Sequence, residues 1–458
     1  MSRIKDVRAR QISDSRGNPT VEAHVYLESG KWGWAAVPSG SSRGEREALE
    51  LRDTDSLAYR GMGVGQAVAN INTTINLALR RHDIKDSDDQ RKIDGLMLEL
   101  DGTKFKTRLG ANAILAVSLA VADAASKEIC GDHRLFEYIA QLHGRTPGYR
   151  GCTLPVPLIN VINGGVHADN RLRPQEFMII PVGAHSVWDA IKKGRQVFRA
   201  IETLVELIPD NPAVGVGDEG GYAPVLCPDQ GQEARVREAL NLIMRAIEMA
   251  GLQPGHDVVL AMDPAASEFY SAERQEYEFY DGKDPVKTSF SSEQMIDFYE
   301  GLVNEYPIRS IEDGLAEKDE AGWISLTRRL GKRLQLVGDD LFVTNPDIFR
   351  AGIEKGMANS ILIKVNQIGT LSETLDTMSL AEDQGYACIV SHRSGETLDT
   401  KIADIAVGCN AGQIKTGSIC RGDRIAKYNR LKDIEAALGE GSRFPGSEVF
   451  SKFLTSAS

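Results

Sequence analysis

The sequence predicts an α/β protein in which a C-terminal β/α barrel follows a smaller N-terminal α+β domain. Two observations carry this. First, short apolar runs recur along the second half of the chain, and each ends in charged or polar residues. VVLAMD ends at Asp263, IRSIED at Glu312 and Asp313, LQLVGDD at Asp339 and Asp340, ILIK at Lys364, ACIVSHR at His392 and Arg393, and GQIK at Lys415. Most successive endings lie roughly 25 residues apart, the length of one strand–loop–helix–loop unit. Second, the first part of the chain has another order, with strands first and helices after them. If all barrel strands point the same way, their C-terminal ends meet at one mouth. That mouth would gather three carboxylates, two lysines, a histidine and an arginine, a set suited to a divalent cation, an anionic substrate and a proton-transferring base.

From the N-terminus, residues 4–12 and 19–28 alternate apolar and polar as strands do, joined by the turn sequence DSRGNP. Pro38 to Gly44 reads as a Gly/Ser loop. Helical periodicity follows over GVGQAVANINTTINLALRR, QRKIDGLMLELD and the Ala-rich stretch 111–128. These elements make an N-terminal domain over 1–140. HGRTPGYRGCTLPVP, rich in Gly and Pro, reads as a linker, and the barrel is expected over 150–440. Residues 441–458 carry little pattern and are expected to form a surface tail.

A chain of 458 residues is too long for one small core. Its 42% hydrophobic and 26% charged residues are those of a soluble globular protein. The net charge of −12 argues against a general nucleic-acid binder, which needs clustered Lys and Arg, while a local basic pocket can still hold an anion. The six cysteines form no C-x-x-C pair, which disfavours zinc and redox motifs and fits reduced thiols in the cytoplasm. The N-terminus lacks the apolar core of a signal peptide. ANAILAVSLAVADAAS is interrupted by Ser118, Asp123 and Ser126, so it reads as a buried helix and no membrane partner is expected.

Hard cations such as Mg²⁺ take oxygen ligands, and Asp263, Glu312 and Asp339 would supply them from separate strands. Each acid, taken singly, can equally cap the helix after its strand. Lys364 follows the apolar ILI, where a lysine is costly unless paired or functional. Burial near a metal can bring such an amine towards neutral pKa, which suits a general base. A salt bridge is the other reading, and Lys415 has the same two, with anion binding added. His392-Arg393-Ser394 places donors for phosphate or carboxylate at another strand end. Gln175-Glu176-Phe177 and Gly217-Asp218-Glu219 put Glu176 and Glu219 beside barrel strands, where two close carboxylates can share a proton. Ser39 to Gly44 reads either as a mobile lid or as an ordinary loop.

At this point the segments DSRGNPTVE, NGGVHAD, QEFMI, GDEGGYAP, AMDPAASEF, SIEDGL, GDDLFVTN, KVNQIG, SHRSGET and QIKTG together resemble enolase, from about residue 4 to about residue 440. The resemblance implies a TIM-like barrel of the enolase type, irregular at its start, usually in a homodimer. It implies the reversible, glycolytic dehydration of 2-phosphoglycerate to phosphoenolpyruvate, with two Mg²⁺ per active site. Matched to the family's motifs, Asp263, Glu312 and Asp339 correspond to ligands of the first Mg²⁺, and Ser42 to a lid ligand of the second. Lys364 corresponds to the base, Glu219 with Glu176 to the acid side, and His167 to the lid-side histidine. Arg393 and Ser394, with His392 and Gln175 beside them, correspond to substrate contacts, and Lys415 to the contact with the substrate carboxylate.

Three stretches depart from the family pattern. Arg43 stands where the lid usually has threonine, Arg171-Leu172-Arg173-Pro174 replaces a stretch like N-V-D, and Leu398 replaces an acid. All three make their surroundings more positive. A second reading is therefore an enolase-like carboxyphosphonoenolpyruvate synthase of phosphonate or phosphinate biosynthesis. It would act on a CMP-activated phosphonoformate and a phosphoglycerate-type partner, with Arg43, Arg171 and Arg173 meeting the extra phosphates. A third is an enolase-like binding protein without catalysis, against which the intact Lys364, Glu219 and metal-ligand set argue.

Overall fold

The computed structural model describes residues 2–41, 44–55, 57–84, 88–145, 152–208, 215–280, 284 and 287–453. Strands β1 (Ser2–Ser13) and β2 (Pro19–Leu27) pair antiparallel as the alternation predicts, and β3 (Trp32–Ala36) adds to β2. Helix α1 (Asp88–Asp101) and the almost wholly buried α2 (Ala111–Ile129) follow, then α3 (Leu135–Leu142). The alanines of α2 let it lie very close to the sheet. A Cβ on Gly33 of β3 would stand 2.2 Å from the backbone nitrogen of Ala124, so only glycine fits there.

The predicted helix over 63–81 forms over 65–79, with one wider turn, Ile71–Ile75, inside it. This swings Asn72 and Asn76 towards the open edge of β1. Asn72 bonds both the N–H (2.8 Å) and the carbonyl (3.0 Å) of Ala9, and Asn76 accepts from Val7 N–H (3.0 Å). The side-chain amides thus cover a sheet edge that would otherwise offer unpaired backbone.

The second domain is a closed eight-stranded barrel. Its strands are β4 (Val156–Asn163), β5 (Glu176–Ile180), β6 (Val259–Asp263), β7 (Ile308–Glu312), β8 (Gln335–Gly338), β9 (Ser360–Ile363), β10 (Ala387–Ser391) and β11 (Gly412–Lys415). All six apolar runs read from the sequence are strands of this barrel. Helices α4 (Val187–Glu206) and α5 (Gln232–Met249) lie between β5 and β6, and α6 (Gly422–Leu438) follows β11.

The expectation from spacing alone, that all strands point one way, fails at one of them, and the irregular start that the resemblance implied is found there. β5 is antiparallel to both β4 and β6, and every other pairing in the ring is parallel. The connections explain it. Only the short segment 164–175 joins β4 to β5, with no crossover helix to return the chain, and parallel neighbours need such a crossover. Two helices then separate β5 from β6, so the chain enters β6 from the end at which it left β5.

The expected surface tail is also corrected as far as Phe453; residues 454–458 lie outside the described residues. Ser442–Arg443 pairs with Cys152–Thr153, and Phe450 and Phe453 are buried against Val156, Leu158 and Ile180 of the barrel interior. The segment closes the end of the barrel opposite the mouth, which two aromatic side chains can do at low entropic cost. Among the described residues no helix is long and apolar enough to cross a membrane.

Candidate active site

The expected residues succeed one another around the mouth. Asp263 ends β6, Glu312 ends β7, Asp339 follows β8 and Lys364 follows β9. His392, Arg393 and Ser394 follow β10, and Lys415 ends β11. Glu176 reaches the mouth because β5 is reversed: as the first residue of its strand it stands opposite Asp263, the last of β6. Gln175, just before it, donates its N–H to the Asp263 carbonyl (3.0 Å). His167 lies in the short segment between β4 and β5. Glu219 comes from the loop before α5, which is pinned to β4 by Tyr222 N–H to Val161 O (2.9 Å) and to the segment after β11 by Ser418 N–H to Glu219 O (2.9 Å). Ser42 and Arg43 lie outside the described residues.

Lys415 occupies the middle of the carboxylates. Its Nζ lies 2.8 Å from Glu312 Oε2, 3.0 Å from Asp263 Oδ2 and 3.2 Å from Glu176 Oε2. Burial disfavours the ammonium, but the three acids outweigh burial and hold its pKa well above the usual lysine value. Lys364 is paired with Asp339, whose other oxygen accepts from Gln367 Nε2 (2.8 Å). The lysine pKa is accordingly raised: burial lowers it, and Asp339 more than compensates.

Negative charge remains in excess. Asp263, Glu312, Asp313, Asp339, Glu176 and Glu219 are all buried. Glu312 and Asp313 have pKa values well above the carboxylate range, through burial first and then repulsion from neighbouring acids. Glu312 Oε1 is buried and receives no donor. Ligand-type atoms of Asp313, Asp339 and Asp340 lie within 4.8 Å of one another, and so do those of His167, Glu176 and Glu219. A buried acidic cluster with an unsatisfied oxygen fits a hard divalent cation. Asp263 and Glu312 converge on Lys415 here, so the triad Asp263–Glu312–Asp339 lines one arc of the mouth without closing into a tight group of its own.

Glu176 and Glu219 behave as a pair. Burial, and then Glu219, raises Glu176 well above the carboxylate range. Burial also opposes Glu219, but His392, His167 and Lys415 outweigh it and keep Glu219 well below. Asn160 Nδ2 donates to Glu219 (3.1 Å), and His167 Nδ1 stands 3.9 Å from an oxygen of each acid. Two acids this close and this deeply buried titrate as one coupled pair and can share a proton.

His392 is fixed in tautomer. Its Nδ1 faces Nη1 of Arg424, which can only donate, so the ring proton sits on Nε2, 3.4 Å from Glu219 Oε2. Burial, against the pull of Glu219, lowers its pKa to about 4. In the unfolded chain this histidine titrates near 6.5, so between these values the unfolded state binds the extra proton and stability falls as pH falls. Replacing His392 by Gln should remove about 2 kcal/mol of the stability lost between pH 7 and pH 5. Urea unfolding of both proteins at the two pH values measures this, and equal losses would refute the buried neutral ring.

Arg393 is gripped by both oxygens of Glu47 (3.0 and 3.2 Å) and by Asn366 (3.2 Å). The segment Ser39–Ser41 lies over it. Ser39 and Gly395 exchange two backbone hydrogen bonds (2.8 Å each), and Ser41 N–H donates to Ser394 Oγ (2.7 Å). The other two departures from the family pattern point away from the pocket. Arg173 donates to Tyr280 O (2.7 Å from Nε), and Arg171 pairs with Asp284, which Gln232 and Arg235 also hold. Leu398 is 67% exposed. The extra positive charges at 171 and 173 thus fasten the loop carrying His167 to Tyr280 and Asp284, and the placement of these arginines against a larger anion is not what the fold provides.

Several supporting residues carry roles that the sequence did not assign. Asp313, next to Glu312, accepts from the N–H of Asp339 and of Asp340 (2.9 Å each) and so sets their orientation. Glu396 accepts from Arg393 N–H (3.2 Å), and Arg424 of α6 donates to the carbonyls of Arg393 (2.6 Å) and Ser394 (2.7 Å). The adjacent acids of IED were a visible signal for Asp313. Nothing local marked Arg424. The model of the family domain described as "Enolase, N-terminal domain" matches residues 4–139, and that described as "Enolase, C-terminal TIM barrel domain" matches residues 151–453. With both domains matched and the lysines and buried acids meeting at one barrel mouth, this chain belongs to the enolase family.

Proposed function

We propose that this protein is an Mg²⁺-dependent phosphopyruvate hydratase, interconverting 2-phosphoglycerate and phosphoenolpyruvate. The observation that carries the reading is the pair of opposed sides at the mouth: Lys364 on one, and the proton-sharing Glu176–Glu219 pair with His167 on the other. Removal of the weakly acidic C2 proton and loss of the 3-hydroxyl need a base and an acid on different sides of the substrate.

In this reading Lys364 takes the C2 proton. Lys415 is the cation that meets the substrate carboxylate as a second negative charge develops on it. The proton held by Glu176 and Glu219 goes to the departing hydroxyl, and His392 keeps Glu219 oriented. Arg393 and the Ser394 hydroxyl bind the phosphate. Asp263, Glu312 and Asp339 would hold one Mg²⁺ and Ser42 a second. When bound, Mg²⁺ would supply positive charge against the negative charge that develops on the substrate carboxylate.

The test is ultraviolet detection of the enol product from 2-phosphoglycerate. Protein stripped with EDTA should be inactive and regain turnover on addition of Mg²⁺. No turnover at saturating Mg²⁺ would overturn the reading.

A further inference from the structure

Arg16 lies in the tight turn between β1 and β2, in the other domain from the barrel. Asp14 organises that turn: its Oδ1 accepts from the N–H of Arg16 (2.9 Å) and of Asn18 (2.8 Å). The chain beyond it is tied to the barrel, because Ser15 N–H donates to Glu396 O (2.7 Å) and Glu396 N–H to Ser15 Oγ (3.1 Å). From this platform the Arg16 side chain, only 16% exposed, reaches the place where the 39–41 segment meets the barrel. Its Nη1 donates to Ser41 Oγ (2.6 Å) and Ser394 Oγ (3.3 Å), and its Nη2 to Ser39 O (3.1 Å) and Asp14 Oδ2 (3.4 Å).

A count of protons gives this arrangement a consequence. A hydroxyl has one proton and two acceptor sites. Ser394 Oγ receives the N–H of Ser41 (2.7 Å) and the guanidinium of Arg16, neither of which can accept in return. The Ser41 hydroxyl, which itself receives Arg16 (2.6 Å), also donates to Ser394 Oγ (2.7 Å). With its acceptor sites filled, the Ser394 proton must be donated away from all of these groups. Both serines line the pocket with Arg393 and Lys364, whereas Arg16 stands behind them. The two hydroxyls are thus polarised in one direction, leaving a net donor.

We propose that Arg16 is a positioning residue. It fixes the polarity of the Ser41–Ser394 hydroxyl pair, so that the pair donates to the anionic group of the ligand, and it clasps the 39–41 segment to the barrel. The proposal rests on the reading of this end of the pocket as the phosphate end. A lysine keeps the charge but has no planar fork to span Ser39, Ser41 and Ser394 together, and glutamine can accept and so lets the hydroxyls reorient.

The test uses the full-length protein and inorganic phosphate as the probe, with affinity read by calorimetry and the 39–41 backbone by hydrogen exchange without ligand. Arg16→Gln should weaken phosphate tenfold or more and speed exchange at 39–41, with Arg16→Lys recovering part of both. In a Ser41→Ala, Ser394→Ala background, where no hydroxyls remain to polarise, Arg16→Gln should weaken phosphate by less than threefold further. Wild-type affinity in Arg16→Gln, or a full tenfold loss in the serine-free background, would overturn the proposal. If Arg16→Gln fails to fold, Arg16→Lys in the two backgrounds decides it by the same comparison. Neither readout needs turnover, so a hydratase assay that fails while phosphate still responds to Arg16 removes the substrate reading and leaves the positioning role standing.

Discussion

Replacing Lys364 by alanine is expected to lower turnover of 2-phosphoglycerate by roughly 10³-fold, the scale of a lost general base. The lysine follows β9, and its side chain is 13% exposed. Its ammonium is paired with Asp339, at the end of the neighbouring strand β8. The fold should survive, because Asp339 keeps the Gln367 amide on its other oxygen and Asp313 still holds the backbone N–H groups of 339 and 340. Circular dichroism and thermal unfolding of the variant check the fold, and the ultraviolet assay checks the rate. A loss under tenfold would assign the proton transfer to another group.

Lys415 should show the larger effect on stability. Three carboxylates surround its ammonium within 3.2 Å, and the side chain is 3% exposed. Methionine in its place fills the volume but leaves Asp263, Glu312 and Glu176 buried without their shared cation. Breaking a buried ion cluster by removing one partner costs about 3–5 kcal/mol. Uptake of protons by the acids limits the cost at low pH, so it should be greatest at neutral pH and above. Because a divalent cation would bind the same acids in the folded state alone, added Mg²⁺ should return part of the loss. Urea unfolding of Lys415→Met in EDTA and in Mg²⁺ measures both. A loss below about 1 kcal/mol, or no difference between the two conditions, would contradict the ionic account of the mouth.

What could be read from the sequence follows from where the constraint is local. A buried barrel strand must change from apolar to polar as it leaves the core, so Asp263, Glu312, Lys364 and Lys415 announced themselves by position alone. The direction of β5 did not, because it is set by the absence of a crossover helix before it and the two helices after it. For the same reason Glu176 is at the mouth as the first residue of a strand, where a strand-end search looks for the last. β3 is a five-residue edge strand, too short to display alternation. Phe450 and Phe453 looked like a tail because the barrel end they close is formed by residues hundreds of positions earlier. Arg16 and Ser394 are separated by 378 residues, so their contact has no local trace. Arg171 and Arg173 show the opposite failure: a local gain of charge suggested a ligand, and the fold spends both on the chain itself.

The central claim is that Lys364 removes the C2 proton of 2-phosphoglycerate at a metal-dependent site. Exchange of that proton with deuterium oxide, followed by nuclear magnetic resonance on the wild type and on Lys364→Ala, tests it most directly. The account predicts Mg²⁺-dependent exchange in the wild type and none in the variant, with inorganic phosphate binding retained by both. Exchange at the wild-type rate in Lys364→Ala, or its absence from the wild type at saturating Mg²⁺, would contradict it.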